Sequence, residues 1–435
     1  MTRFFEQYSY NVARGPHHES ADALPSAEPQ SFPVRFIAYY LPQFHSIPEN
    51  DAWWGKGFTE WTSVTKAVPR FVGHRQPNLP ADLGFYDLGQ PEILRLQADL
   101  ARRAGIYGFC IHNYWFSGRK ILETPLDNLL NDLSIDLRFC LNWANENWSR
   151  RWDGMDRDVL LEQRYEVGDD VRYAESILPA LRDPRYIRID GRPLLMVYRP
   201  SAIPDAKAWV SNWRCFFKAQ GVGDPYIVMA QYDDQDPRPY GMDAAAGFPP
   251  HNGGWLLRDD RDAISLLDRQ FAGRVCDYRE LAERILRNAS SEYRLFPGVC
   301  PRWDNEARKP GQGVGFHGFS PREYGAWLKD AAARAMTAAK ADERIVFVNA
   351  WNEWGEGAYL EPDRHYGHAY LAQTRRVLDG LLTGTDIPRP QTGGSADDHL
   401  LAPRRSVRAR AENLLYKTGR RAQGRLNRAW RTLIR

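Results

Sequence analysis

From about residue 33 to about residue 385, short apolar runs alternate with longer stretches of helical period. The runs cover 34–40, 106–112, 137–143, 193–199, 226–231, 243–248, 296–302 and 344–350. Most are continuously apolar, the pattern of parallel strands covered on both faces. Eight strands, each leading into a helix, are the number that closes a barrel. The intervening segments carry helix punctuation. Pro91 opens a stripe of Ile93, Leu94, Leu96, Leu100 and Ala104 that Gly105 ends, with Pro and Gly at the ends each favours. Ser320-Pro321-Arg322-Glu323 has the form of a capping box before Tyr324, Trp327, Leu328 and Ala331. Trp209, Trp213, Phe216 and Phe217 form a second buried stripe. A doubly wound open sheet would share this rhythm. However, no Gly-x-Gly-x-x-Gly follows a strand, and polar residues gather after nearly every strand, not at one switch point. The expected architecture is a single (β/α)8 TIM barrel at 33–385 with long strand-end loops. A flexible N-terminal extension at 1–32 precedes it, and a linker and basic amphipathic tail at 386–435 follow.

Composition agrees with a large folded unit: of 435 residues 43% are apolar and 26% charged. No apolar run approaches the ~18 residues of a membrane span. Residues 1–30 lack the apolar core of a signal peptide. Cys110, Cys140, Cys215, Cys276 and Cys300 are odd in number and widely spaced, which suits free thiols in a reducing compartment. The expected location is therefore cytoplasmic. The formal charge of +3 hides an asymmetry, because 404–435 holds ten Arg and one Lys against Glu412 and is +10, leaving 3 − 10 = −7 on the rest. The acidic body argues against nucleic acid as a partner. Within the tail, Leu414, Leu415, Tyr416, Leu426, Trp430 and Leu433 lie among the arginines. Such a segment suits peripheral contact with an anionic membrane, here the inner membrane face; a loosely helical or disordered tail is the other reading.

Active-site residues of a barrel lie just past the C-terminal ends of its strands. After the first run come Tyr40, Gln43 and, further on, Trp53, Trp54, Glu60 and Trp61. The second ends in His112-Asn113-Tyr114-Trp115 and the third in Asn142-Trp143-Ala144-Asn145-Glu146. The fourth yields Tyr198, the fifth Gln231 and the seventh Trp303-Asp304. The eighth ends in Asn352-Glu353-Trp354-Gly355-Glu356. Indole and phenol faces stack on the C–H faces of a pyranose, while amides and carboxylates exchange hydrogen bonds with its hydroxyls. Tyr40, Gln43, Trp61, His112, Asn113, Tyr114, Trp115, Asn142, Trp143, Asn145, Glu146, Tyr198, Gln231, Trp303, Asp304, Asn352 and Trp354 are the candidate substrate-binding set, with about half of the tryptophans expected to plug the barrel mouth instead.

Cleaving a glycosidic bond takes one group that protonates the leaving oxygen and another that acts at the anomeric centre. Glu353 and Glu356 are three apart, directly after an apolar strand. A helix-like turn there would put both on one face, and crowding would raise the pKa of one. They are the candidate catalytic residues. No His-Glu-x-x-His, Cys/His ligand cluster or Gly-x-Ser-x-Gly occurs, so no metal or other cofactor is expected.

The motifs Phe36-Ile37-Ala38-Tyr39-Tyr40-Leu41-Pro42-Gln43-Phe44-His45, Gly57-Phe58-Thr59-Glu60-Trp61, His112-Asn113-Tyr114-Trp115-Phe116, Ala144-Asn145-Glu146-Asn147-Trp148 and Asn352-Glu353-Trp354-Gly355-Glu356-Gly357 resemble the WbsX-like family. That family groups with the glycoside hydrolase family 99-like barrels. The resemblance implies a (β/α)8 fold and a retaining enzyme acting on an α-mannoside-type glycan. It also implies roles: Glu353 assists the sugar's own 2-hydroxyl as base, while Glu356 is general acid and later base. Gly355 stands where the hydrolases often carry His, and the strand-three motif with Glu146 is WbsX-like. WbsX-like proteins are assigned to bacterial surface-polysaccharide metabolism, so a glycosyltransferase of O-antigen or lipopolysaccharide biosynthesis is an alternative. The partner would then be a glycan or lipid-linked oligosaccharide. A non-catalytic glycan-binding protein is a further alternative.

Overall fold

The computed structural model describes residues 2–26, 31–150, 155–287 and 292–385. The expected linker and basic tail at 386–435 lie outside the described residues. Eight parallel strand positions ring the molecule: β1 (Arg35–Tyr40), β2 (Gly108–Phe116), β3 (Phe139–Trp143), β4 (Arg192–Val197), β5 (Tyr226–Gln231), β6 (Ala244–Gly247), β7 (Arg294–Phe296 and Gly298–Val299) and β8 (Ile345–Val348). β1 to β6 and β8 are buried along nearly their whole length, as continuous apolar runs require, while Arg294 and Leu295 of β7 are partly buried.

Closure falls on β7. Its first segment pairs with β6, setting Ala244 against Arg294 and Ala246 against Phe296. Its second pairs with β8, setting Gly298 against Phe347 and Val299 against Val348. Between them stands Pro297, which has no N–H to give a ladder but whose carbonyl accepts from Phe347 N at 2.9 Å. The expected strand at 296–302 is thus two short pieces shifted toward the N-terminus, and through them the sheet returns on itself. The backbones of β6 and β7 approach so closely there that a Cβ on Gly298 would lie 2.0 Å from the Gly247 carbonyl oxygen.

Helix α1 (Thr2–Val12) docks on the barrel, Asn11 donating to the carbonyls of His74 and Gln76 at 2.7 Å each. The barrel helices are α2 (Pro91–Ala104), α3 (Thr124–Asn131), α4 (Asp169–Arg182), α5 (Ala206–Ala219), α6 (Tyr278–Arg287), α7 (Pro321–Ala335) and α8 (Ala369–Thr383). A single 3-10 turn, Arg238–Tyr240, stands between β5 and β6 in place of a helix. Gly105 ends α2 with φ of 79°. Ser320 caps α7 by accepting from Glu323 N at 3.2 Å, and the Glu323 carboxylate pairs with Arg279. Cys110, Cys140, Cys276 and Cys300 are buried free thiols and Cys215 is exposed.

Candidate active site

After β8 the chain forms a tight hairpin in which Asn352–Glu353 pairs antiparallel with Ala358–Tyr359. Its tip is one 3-10 turn, Trp354–Glu356, closed by Gly357 at φ of 61°. Glu353 ends the first strand and Glu356 ends the turn, and both side chains reach the same guanidinium. The hairpin is held from several sides. Asn352 clasps the backbone of Leu41, accepting from its N–H at 2.8 Å and donating to its carbonyl at 2.9 Å. Trp354 stacks on Tyr359 with ring centroids 3.7 Å apart. The indole N–H groups of Trp351 and Trp354 both donate to Glu361, as do Gln97 and the Tyr86 hydroxyl. Burial still lifts the Glu361 carboxyl to about 7.

The pair shares one cation. Arg308, from the loop after β7, donates through Nη2 to Glu353 at 2.9 Å and lies 2.7 Å through Nη1 from Glu356. Its Nε donates to Glu60, whose side chain is fully buried. Burial raises Glu353 well above the ordinary carboxylate range; Arg308 opposes this, while Glu356 and Glu60 add to it. Glu356 is raised as well, first by burial, with Glu60 and Glu146 contributing and Arg308 opposing. Both shifts favour the protonated form of the pair, the direction an acid–base site needs.

These carboxylates open into a cavity of about 430 Å³ at the C-terminal end of the strands. Of the candidate binding residues, Gln43, His112, Tyr114, Glu146, Tyr198 and Trp303 line it beside Glu353 and Glu356. Burial lowers His112 to about 4, with Arg308 adding to the effect, so its ring is neutral. Its Nδ1 meets the Asn142 amide at 3.2 Å. Glu146 faces Arg199, 3.5 Å away.

The other candidates do not line the cavity, and each has a structural position that accounts for it. Tyr40 donates to Gln97 at 2.9 Å. Trp61 donates to the Tyr86 carbonyl at 2.8 Å and packs on Trp354. Asn113 and Trp115 point to the opposite side of β2 from His112 and Tyr114, and Trp115 donates to Asp169. Asn142 stands behind His112. Trp143 is packed between Tyr173 and Trp209. Asn145 braces the backbone of Arg199, Gln231 donates to the Gln235 carbonyl, and Asp304 pairs with His74. Asn352 and Trp354 hold the hairpin as described above.

Arg308, Lys309, Tyr232, Phe248, His251 and Trp255 line the cavity without having been picked out from the sequence. Arg308 lies in a polar loop with no apolar approach, the signal that marked the glutamates. Glu60 was visible within a motif, but nothing local showed that it would reach the last strand. Among the described residues no group of three or more His, Cys, Asp or Glu side chains is placed to hold a metal ion.

The fold is thus a (β/α)8 barrel that sets a carboxylate pair under an aromatic-lined cavity. The chain belongs to the WbsX family: the family model described as "Glycosyltransferase WbsX" matches residues 36–374. It is 46% identical to the "Uncharacterized protein WxcX" of Xanthomonas campestris pv. campestris strain B100 over 354 residues, covering 81% of this chain and 51% of that protein. The counterpart in strain ATCC 33913 is likewise 46% identical, over 81% of this chain and 50% of that protein. The chain thus spans about half the length of the curated relatives it matches. Among solved structures, the GH99 endo-alpha-mannosidase from Bacteroides thetaiotaomicron overlays with a TM-score of 0.49 at 13% identity, covering 80% of this chain and 98% of that one. A "Glycoside hydrolase-like protein" overlays with a TM-score of 0.49 at 15% identity, covering 82% and 96%.

Proposed function

We propose that the chain transfers glycosyl units in the assembly of a bacterial surface polysaccharide, with Glu353 and Glu356 as its acid–base pair. The observation that carries this reading is the pair itself: two carboxylates three residues apart, Glu353 buried and Glu356 half-buried, sharing one guanidinium at the cavity wall. Membership of a family described as glycosyltransferases supports transfer over hydrolysis. In the scheme that the family 99-like resemblance implies, Glu353 takes the proton of the donor sugar's 2-hydroxyl as O2 attacks the anomeric carbon. Glu356 gives its proton to the departing oxygen. The acceptor hydroxyl then loses its proton to Glu356 as it opens the strained ring, and Glu353 returns the proton to O2. Tyr114, His112 and Tyr198 are positioned to contact the sugar, with Trp303 offering an aromatic face.

Hydrolysis follows the same steps with water as acceptor, and the glycosidase-type carboxylate pair favours it as the second reading. Both are tested by incubating the chain with an aryl α-mannoside, or with an activated or lipid-linked sugar donor, in the presence and absence of an acceptor glycan. Glu353→Gln and Glu356→Gln should each lower product formation at least about 100-fold, the scale of general acid–base catalysis. A good aryl leaving group should partly rescue Glu356→Gln alone. Product that needs the acceptor marks a transferase, whereas product formed in water marks a hydrolase. Turnover unaffected by either substitution would overturn the assignment, and glycan binding without turnover would leave a lectin-like protein.

A further inference from the structure

Arg308 touches three carboxylates at once. Nη1 faces Glu356 at 2.7 Å, Nη2 faces Glu353 at 2.9 Å, and Nε donates to Glu60. Every nitrogen of the guanidinium is therefore engaged, and its planar fork fixes the direction of each bond. Glu60 comes from far along the chain, at the start of the short helix Trp61–Val64. It can reach Arg308 because residue 355 has no side chain. A Cβ on Gly355 would lie 2.1 Å from Glu60 Oε1 and 3.0 Å from Arg308 Nε. Any side chain at 355, histidine included, would occupy the volume where Glu60 and Arg308 meet.

We propose that Arg308, anchored by Glu60 in the space Gly355 leaves, is a positioning residue that fixes Glu353 and Glu356 against each other and sets how they share a proton. The proposal rests on the reading of that pair as catalytic. Four carboxylates, Glu60, Glu146, Glu353 and Glu356, act on this buried centre, and Arg308 is the cation in contact with three of them. Of the other groups facing it, Tyr114 is a phenol and His112 is neutral, while Lys309 follows Arg308 on the cavity wall. Withdrawing the guanidinium removes the cation that favours the charged carboxylates. Withdrawing the Glu60 charge does the reverse, because Arg308 is then shared by two carboxylates instead of three. The two substitutions are thus expected to act with opposite sign, which simple loosening of the site would not produce.

The test is a titration of the intact chain carrying carboxyl-¹³C glutamate, followed by NMR without substrate. Glu353→Gln and Glu356→Gln assign the two resonances. Arg308→Gln should move the titration of the pair upward by about 1 to 3 pH units, the effect of losing an adjacent opposite charge. Glu60→Gln should move it downward. Arg308→Lys keeps the charge without the fork and should fall between wild type and Arg308→Gln. Shifts of the same sign in Arg308→Gln and Glu60→Gln, or no shift in either, would overturn the proposal. If Arg308→Gln fails to fold, the sign in Glu60→Gln decides. The readout needs no turnover, so opposite shifts alongside full activity in Glu353→Gln and Glu356→Gln would refute the catalytic reading and leave the clamp standing.

Discussion

Glu361 holds the hairpin from behind, with Trp351 and Gln97 on one carboxylate oxygen and Trp354 and Tyr86 on the other. A glutamine there keeps the shape but turns an NH2 toward two donors that need an acceptor. Each orphaned buried donor costs about 1–3 kcal/mol. Glu361→Gln should therefore lower stability by at least about 1 kcal/mol in denaturant unfolding. It should also reduce turnover, because Trp354 follows Glu353 directly. Unchanged stability would mean that the network is dispensable. The same residue-level physics explains why eleven of the seventeen candidate binding residues do not line the cavity. Position past a strand end was legible; the direction of a side chain was only partly so. His112 and Tyr114 face the cavity while Asn113 and Trp115 do not, an alternation of period two that was readable in principle. Trp61, Trp115, Trp351 and Trp354 turned inward because each indole N–H found a buried acceptor, which for Trp61 and Trp115 comes from a distant segment.

At the scale of elements, the strand runs and helix boundaries followed from apolar continuity and from Pro, Gly and Ser punctuation. The departure was β7. The 296–302 run is apolar enough to read as one strand, yet the ladder breaks at Pro297 and each half serves a different neighbour. Proline forbids the donor, and the geometry of closure decides where the break falls. Gly298 is the tight point, since its backbone lies against the Gly247 carbonyl. A methyl group there has no space, and the obstacle is backbone, not a flexible side chain. Overpacking of this kind costs about 1–3 kcal/mol or more. Gly298→Ala should lower the thermal midpoint and disturb the β6–β7–β8 junction, visible as faster amide exchange at Phe347 and Asn349, which bond to Pro297 and Val299. A midpoint equal to wild type would show that the sheet closes elsewhere.

For the whole molecule, buried titrating groups set opposing trends of stability with pH. Burial holds Glu306 and Glu361 at about 7, against 4.5 for an unperturbed carboxyl. The unfolded chain therefore binds fewer protons at these sites than the folded one, so stability falls as pH rises from about 4.5 through 7. His112 and His365 are lowered to about 4. The unfolded chain binds more protons at these sites between pH 4 and 6.5, so stability rises with pH across that window. The two trends oppose each other below pH 6.5. Above it the histidines are neutral in both states and the carboxylates act alone. Glu353 and Glu356, also raised, act in the same direction as Glu306. The thermal midpoint should therefore decline from pH 6.5 to 8, each carboxyl near 7 contributing roughly 1 kcal/mol over that span. Glu306 is the cleaner probe, since it lies outside the cavity and pairs with Arg70. Glu306→Gln loses that pair and so lowers stability overall, but its decline from pH 6.5 to 8 should be shallower than in wild type. A parallel decline in the two proteins would show that Glu306 is already ionised in the folded chain at pH 6.5, held so by Arg70 against its burial.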